Sequence, residues 1–100
     1  MVIELNKDNI GYAEKVNKCI IECYAPWCAL CKGSEKIFTE LSNEINGIYF
    51  FKINVDECEF IKKEFELKIL PTFVYLENGV IKIKVEGYKD KTSILQLLTN

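Results

Sequence analysis

A chain of 100 residues is long enough to bury a hydrophobic core, and we expect one domain over residues 1–100. Its 49% apolar and 28% charged residues are typical of a soluble globule, and its net charge of −2 argues against a nucleic-acid surface. No apolar run reaches the roughly 20 residues of a membrane span, and no basic-then-apolar segment suggests a secretory signal. We therefore expect a cytoplasmic protein with no membrane or nucleic-acid partner.

The first part of the chain predicts two strands with a short helix between them. Residues 2–5 alternate in polarity, which is typical of a strand with one buried face. Asn6 or Asp8 can cap a helix that continues to about Val16. Residues 18–24 form a nearly continuous apolar run, which favours a strand covered on both faces.

A long helix and another central strand follow. Apolar residues recur at helical spacing between Cys28 and the stop signal Asn46-Gly47, and they are Leu30, Ile37, Phe38, Leu41 and Ile45. The segment 48–55 predicts a second buried strand, and Asp56 can cap the next helix. We expect its inward residues to be Phe60, Ile61, Phe65 and Leu67.

The last part of the chain predicts a hairpin and a closing helix. The strand-like segments 72–77 and 80–86 flank Asn78-Gly79, a strong hairpin signal, and residues 90–98 have a helical apolar face. The predicted order is β-α-β-α-β-α-β-β-α. Its two β-α-β crossovers imply parallel strands, and the hairpin adds an antiparallel edge. We therefore expect an α/β fold, with a mixed central sheet and helices on both faces.

Two cysteines lie where the strand 18–24 gives way to the long helix. In the segment YAPWCALCK (24–32), Cys28 falls in the first helical turn, where unpaired N–H groups and the helix dipole favour a thiolate. Cys31 is three residues further along the same helix face. The two Cα atoms are then roughly 5 Å apart, within the range that a disulfide requires. The pair can therefore form and break a disulfide with little backbone movement.

A structural disulfide and a metal site are the alternatives for this pair. A disulfide closing so short a loop restricts the unfolded chain little, and a reducing cytoplasm would open it. A metal site needs further ligands, and the chain has no histidine. Cys19 and Cys23 lie about 13 Å apart along a strand, too far to reach one ion together. The spacing therefore favours redox chemistry without a metal or other cofactor.

Several segments together resemble the thioredoxin family over essentially the whole chain. These are IIECYAPWCALCK (20–32), FKINVD (51–56), ILPTF (69–73) and NGVIKIKVEGY (78–88). A C-x-x-C pair near a β-α-β pattern is the usual cue for this family, and four matched segments in order are far more specific than the pair alone. The resemblance implies a thioredoxin fold and dithiol–disulfide exchange.

The resemblance also implies catalytic roles. Cys28 would be the exposed nucleophile, and Cys31, facing inward, would resolve the mixed disulfide. Glu22 would be a buried carboxylic acid with a raised pKa that exchanges a proton with Cys31, and Lys52 would be its partner on the next strand. Alternatively, Glu22 reaches solvent at a strand edge. Alternation in 48–55 places Lys52 on the face of Phe50 and Asn54.

A substrate groove is implied around the pair. Pro71 would follow a cis peptide bond, and the Leu70 backbone would pair with an extended substrate segment. An ordinary trans proline opening a strand is the alternative. The other residues expected in the groove are Trp27, Ala29, Leu30 and Gly87. Alone, a tryptophan is more often in the core, and a glycine between strand and helix needs no function.

Three positions depart from the family pattern. Ala29-Leu30 replaces the usual Gly-Pro between the cysteines, and we expect a less reducing couple and a more apolar docking face. Ile69 stands where a small residue is common, which implies a narrower groove. Lys36 replaces a kinking proline, which implies a straighter helix.

The remaining cysteines have no catalytic role in this reading. Cys19 and Cys23 are expected to be inert buried thiols. Cys58 lies among acidic residues, and we expect it to be exposed with a disfavoured thiolate.

The leading prediction is a monomeric protein-disulfide reductase of cell redox homeostasis. It would act on disulfide-containing proteins and be re-reduced by a thioredoxin-reductase-type electron donor. One alternative reverses the direction and gives an oxidant or isomerase. A second alternative is a binding module with the same surface, in which thiol chemistry is dispensable.

Overall fold

Strands and helices alternate along residues 1–99, which are the residues described by the computed structural model. The strands are β1 (Val2–Leu5), β2 (Lys18–Tyr24), β3 (Tyr49–Asn54), β4 (Thr72–Glu77) and β5 (Val80–Glu86). The helices are α1 (Tyr12–Lys15), α2 (Ala29–Glu44), α3 (Glu59–Glu64) and α4 (Lys91–Thr99). The order agrees with the α/β pattern predicted from the sequence.

The strands form one mixed sheet in the order β1-β3-β2-β4-β5. β1, β3 and β2 are parallel, as their crossover connections require, whereas β4 is antiparallel to both β2 and β5. The hairpin turns at Asn78 and Gly79, whose φ angles of 51° and 80° are both positive. β2 lies at the centre of the sheet, so the segment that leads into the cysteine pair is held on both sides.

Both faces of the sheet are covered. On β2, the neighbouring side chains Ile20 and Ile21 point to opposite faces, and both are fully buried. α2 and α4 pack on the Ile20 face, where Phe38 lies 5.1 Å from Phe50 between ring centroids. α1 and α3 pack on the other face. The predicted two-sided burial of the strand 18–24 is therefore present.

The third helix differs from its prediction. Asp56 does not cap it; Cys58 occupies the cap position, and turns through residues 54–58 separate Asp56 from the helix. Of the predicted inward residues, Ile61 is buried within α3 and Phe65 is buried at its C-cap, four residues later. Leu67 lies beyond the helix and is partly buried against the core cluster that contains these two residues. Phe60, expected inward, is exposed instead, since neighbouring helical residues point about 100° apart.

The first helix is also shorter than predicted. α1 has four residues, and turns occupy the segment before it. The Asn6 side chain accepts hydrogen bonds from the backbone N–H groups of Asp8 and Asn9, at 2.8 and 3.1 Å. Asn6 therefore caps a turn, because its amide oxygen satisfies local backbone donors before the helix can start.

Across the described chain, residues 1–99, we find no helix with both the length and the apolar character needed to cross a membrane.

Candidate active site

The cysteine pair lies at the N-terminus of α2, just beyond the carboxyl end of β2. Cys28 is the N-cap residue of α2, one position before the first helical turn in which it was expected. Its backbone N–H donates to the Ala25 carbonyl at 3.1 Å, which closes a tight turn after β2. The Cys31 N–H donates to Cys28 Sγ at 3.2 Å. The Cys28 sulfur thus occupies the position at which a helix N-terminus favours negative charge.

The two sulfurs are joined as a disulfide. The Cα atoms of Cys28 and Cys31 are 5.3 Å apart, within the usual range for a disulfide. Cys28 is 7% exposed and Cys31 is 3% exposed. Cys28 was expected to be exposed, but its side chain is largely buried because, at the cap position, it packs against the first turn of the helix. Cys28 is nonetheless the more accessible of the two.

Glu22 is a carboxylic acid inside the sheet. It is 1% exposed on the central strand, so the alternative of a solvent-facing edge position does not hold. Its Oε2 has no hydrogen-bond partner among the described residues. Burial, followed by repulsion from Glu35, raises the pKa of Glu22 to about 8. This carboxyl group can therefore both take up and release a proton near neutral pH.

Lys52 lies beside Glu22 on β3, where the two residues are partners in the strand register. Its side chain is on the sheet face of Phe50 and Asn54, as alternation predicted. Its Nζ lies 3.4 Å from Glu35 Oε1 and 3.8 Å from Glu4 Oε1. Within residues 1–99 these carboxylates, rather than Glu22, are its ion-pair partners. Lys52 still lowers the pKa of Glu22 through space, against the larger effect of burial.

A small cavity connects the buried acid with the cysteine pair. Its volume is about 90 Å³, and its lining residues are Glu22, Tyr24, Ala25, Pro26, Cys31, Lys32, Glu35 and Lys52. Such a space can hold a few water molecules, and its polar lining offers them partners. A water-mediated proton path between Glu22 and Cys31 is therefore geometrically available.

The predicted groove residues lie on the loops around the pair and in the first turn of α2. The Leu70–Pro71 peptide bond is cis, and Leu70 packs against the buried cluster that contains both cysteines. Trp27 is 70% exposed, and Leu30 and Ala29 are exposed beside it. Leu30 was also expected on the apolar stripe of α2, but that stripe begins further along the helix. A cavity of about 160 Å³ lies between Trp27 and Leu70.

Gly87 contacts this groove through its backbone. Its N–H donates to the Pro71 carbonyl at 2.7 Å, and its φ angle is 87°. A Cβ atom built on Gly87 would lie 3.8 Å from Ile69 Cδ1, an ordinary contact distance. Glycine is therefore required here by backbone conformation rather than by space.

Cys58 is buried, contrary to the sequence-based expectation. It is 2% exposed, and burial together with the Glu57 charge raises its thiol pKa. Cys19 and Cys23 are buried as expected, and burial raises the pKa of Cys19 to about 11. Residues 1–99 contain no group of three or more potential ligands that could hold a metal ion.

Sequence reasoning missed two carboxylates of the site. Glu35 is four residues after Cys31 on α2, so helical spacing alone could have placed it on the same face. Glu4 could not be found this way, because it reaches the site from β1 through the sheet register with Lys52.

Comparison with known proteins identifies the class of protein. The thioredoxin family model matches residues 1–100. A thioredoxin of Mycoplasma genitalium is 36% identical over 81 residues, which are 81% of this chain and 79% of that protein. Thioredoxin H5 of Arabidopsis thaliana is 33% identical over 85% of this chain and 73% of its own.

Solved structures agree with these sequence matches. The crystal structure of Malassezia sympodialis thioredoxin has a TM-score of 0.89 and 26% identity, covering 99% of this chain and 89% of that chain. The thioredoxin fold predicted from the sequence is thereby confirmed. A C-x-x-C disulfide at a helix N-terminus on this sheet defines a thiol–disulfide oxidoreductase. The chain belongs to the thioredoxin family.

Proposed function

We propose that this oxidoreductase reduces protein disulfides, with Cys28 as nucleophile and Cys31 as resolving thiol. The observation that carries the proposal is the position of Cys28 Sγ at the α2 cap, accepting the Cys31 N–H at 3.2 Å. This donor and the helix dipole stabilise a thiolate at Cys28 more than at Cys31. Each cysteine thus has a distinct chemical task.

In the first step, the Cys28 thiolate attacks one sulfur of the substrate disulfide. A bond forms between Cys28 Sγ and that sulfur, and the substrate S–S bond breaks. The other substrate sulfur leaves as a thiolate and takes up a proton. The substrate is then held as a mixed disulfide with Cys28.

In the second step, Cys31 attacks Cys28 Sγ and releases the reduced substrate. Cys31 must lose its proton first, and ionised Glu22 would accept it across the 90 Å³ cavity. The mixed disulfide breaks, the Cys28–Cys31 disulfide forms, and the second substrate sulfur leaves and is protonated. Two electrons pass from the protein to the substrate. Lys52 would act on this step only through Glu22.

Substrate binding would use the groove beside the pair. The Leu70 backbone would hydrogen-bond an extended substrate segment, in the manner of an added strand. Trp27, Ala29 and Leu30 offer an exposed apolar surface on the α2 side of the pair. Pro71 and Gly87, joined by their 2.7 Å hydrogen bond, would shape the opposite wall.

The cycle needs an external source of electrons. A dithiol donor of the thioredoxin-reductase type would attack the Cys28–Cys31 disulfide by the same chemistry in reverse and restore both thiols. We propose that the cycle runs in the cytoplasm, where reductases and glutathione keep thiols reduced. Its role there would be in redox homeostasis. The protein would act as a monomer.

The proposal is tested by the reductive precipitation of insulin with dithiothreitol as the donor. We expect the natural chain to accelerate turbidity and Cys28→Ser to lose this effect. In a separate incubation without dithiothreitol, pre-reduced Cys31→Ser should accumulate covalent substrate complexes that added reductant then releases. Cys58→Ala, which also removes one thiol, is the matched control and should stay active. Equal turbidity with the natural chain and with Cys28→Ser would overturn the proposal and favour a binding module.

A further inference from the structure

We propose that Glu35 and Glu4 are positioning residues that hold the Lys52 ammonium group away from Glu22 and thereby favour the protonated form of its carboxyl group. This inference rests on the proposed function, in which Glu22 exchanges a proton with Cys31. It adds a control element built from two surface carboxylates on separate parts of the fold.

The geometry of Lys52 is the first support. Lys52 and Glu22 are side by side in the parallel register of β3 and β2, and Glu4 is the next residue in that row, on β1. Lys52 could therefore turn toward either neighbour. It turns away from Glu22 and toward Glu4, with its Nζ 3.8 Å from Glu4 Oε1 and 3.4 Å from Glu35 Oε1.

Glu4 is itself held in place. The Tyr24 hydroxyl lies 2.8 Å from Glu4 Oε1 and 3.0 Å from Oε2, so it can donate to either oxygen. The Tyr24 ring also lies below the ammonium group, with its centroid 5.7 Å from Lys52 Nζ. Glu4 and Tyr24 thus give Lys52 a second anchor besides Glu35. The buried Oε2 of Glu22 meanwhile has no hydrogen-bond partner within residues 1–99.

The groups facing Glu22 come from every element packed around it. β1 contributes Glu4, β3 contributes Lys52, and β4 places the apolar Phe73 opposite Glu22 in the register. From α2 and from β2 itself, the cavity is lined by Cys31, Lys32, Glu35 and Tyr24. The positive charges of Lys32 and Lys52 around Glu22 are therefore matched in number by the negative charges of Glu4 and Glu35.

Removal of Glu35 would disturb this balance in one direction. The Glu35 charge raises the pKa of Glu22 directly, and the Glu4 charge does so more weakly. Without Glu35, that repulsion disappears, and Lys52 loses its 3.4 Å partner and can approach the ionised form of Glu22. Both effects favour ionised Glu22. The burial of Glu22, which is the largest cause of its raised pKa, is unchanged.

The direct test is a carbon-13 NMR titration of the Glu22 carboxyl group in the oxidised full chain, assigned with Glu22→Gln. Glu35→Gln should lower the titration midpoint by about one pH unit. Glu35→Asp should retain most of the natural midpoint. Glu40→Gln, an equal charge change on an exposed residue of the same helix, should leave it unmoved. An unmoved midpoint in Glu35→Gln, or an equal shift in Glu40→Gln, would overturn the inference.

A kinetic readout separates this inference from the proposed function. In single-turnover reduction of a fluorogenic disulfide, the pH dependence of product release should move to lower pH in Glu35→Gln by the shift seen in NMR. A moved NMR midpoint with an unmoved kinetic profile would overturn the link to resolution by Cys31. If the natural chain reduces no disulfide while the midpoint moves, the proposed function fails and the placement of Lys52 stands.

Discussion

The indole Nε1 of Trp27 donates a hydrogen bond to Asp56 Oδ2 over 2.9 Å, and this contact joins the loop after β2 to the loop after β3. The Asp56 backbone N–H is in turn held by Asn54 Oδ1 at 3.0 Å. Because Trp27 directly precedes Cys28, the exposed indole is fixed by its polar end while its ring stays open to solvent. The docking surface is thus tied to a second segment of the chain.

We expect Asp56→Ala to loosen Trp27 without unfolding the protein. Loss of one surface hydrogen bond should cost about 1 kcal/mol or less in the free energy of unfolding. Trp27 is the only tryptophan, so time-resolved fluorescence anisotropy reports its motion and should show faster indole reorientation. Glu59→Gln is the control, because Glu59 shares the ion partner Lys62 with Asp56. Equal indole mobility in the natural chain and in Asp56→Ala would show that the hydrogen bond to Asp56 does not restrict Trp27.

The buried acid gives the stability of the oxidised protein a defined pH dependence. The pKa of Glu22 rises from an ordinary value of 4.5 to about 8 on folding, so between these values the folded state binds more protons than the unfolded state. The free energy of unfolding should therefore fall as pH rises, by up to about 1.4 kcal/mol per pH unit. Below pH 4.5 and above about pH 8, Glu22 does not change the free energy of unfolding as pH varies.

Urea unfolding of the natural chain and of Glu22→Gln at several pH values measures this effect. Glutamine has the same shape and no charge, so the variant should be relatively more stable at high pH. Parallel curves for the two proteins across the whole range would show that Glu22 ionises as easily in the folded as in the unfolded state.

Cys58 should be protected from thiol reagents in the folded, oxidised protein. Its side chain is buried and its thiol pKa is raised, so labelling requires local opening of the chain around α3. We expect a slowing on the order of a hundredfold or more relative to the denatured chain. Mass spectrometry after brief treatment with a maleimide locates the modified residue. Rapid labelling of Cys58 under native conditions would favour the exposed position first expected from its acidic neighbours.

Substitution at Gly87 should destabilise the protein through backbone strain alone. Its φ of 87° is unfavourable for alanine, although there is room for the extra methyl group. Gly87→Ala should cost about 1–3 kcal/mol in thermal or urea unfolding. Gly11→Ala is the matched control, since Gly11 has a φ of −61° and open space around it. A similar, small effect at both positions would show that the turn after β5 adapts.

The dipeptide between the cysteines should set the potential of the couple. Ala29 and Leu30 begin the first turn of α2, from which the Cys31 N–H reaches Cys28 Sγ. We expect the natural chain to lie above about −270 mV in equilibration against glutathione, and replacement of both residues by Gly-Pro to lower the potential. A natural-chain potential at or below that value would refute the expectation of a less reducing protein.

The order of elements could be predicted because its signals are local. Apolar periodicity, the Asn78-Gly79 turn and the spacing of Cys28 and Cys31 each depend on a few neighbouring residues. Cys58 shows where local reasoning fails. Its acidic neighbour Glu57 does contribute to the raised thiol pKa, but acidic neighbours do not determine the side chain's direction, which is into the core cluster shared by several elements of the fold. Tertiary context decided its burial.

The partners of Lys52 could not be predicted for a related reason. Its place beside Glu22 follows from strand alternation and register, which sequence patterns report well. Its preference for Glu35 depends on how α2 crosses the sheet, and Glu4 reaches it only because β1 pairs with β3. The spacing of residues along the sequence therefore predicts neither the Lys52–Glu35 nor the Lys52–Glu4 contact.

The central position of β2 has a consequence for synthesis of the protein. When the chain through α2 has left the ribosome, neither neighbour of β2 has yet emerged, and both edges of β2 are unpaired. The thiols of Cys28 and Cys31 therefore leave the ribosome before β4 and the Leu70–Pro71 segment that borders them. During this interval the nascent chain carries its cysteine pair without the Leu70–Pro71 side of the groove. It also has an open apolar strand edge, which favours aggregation until the rest of the sheet is in place.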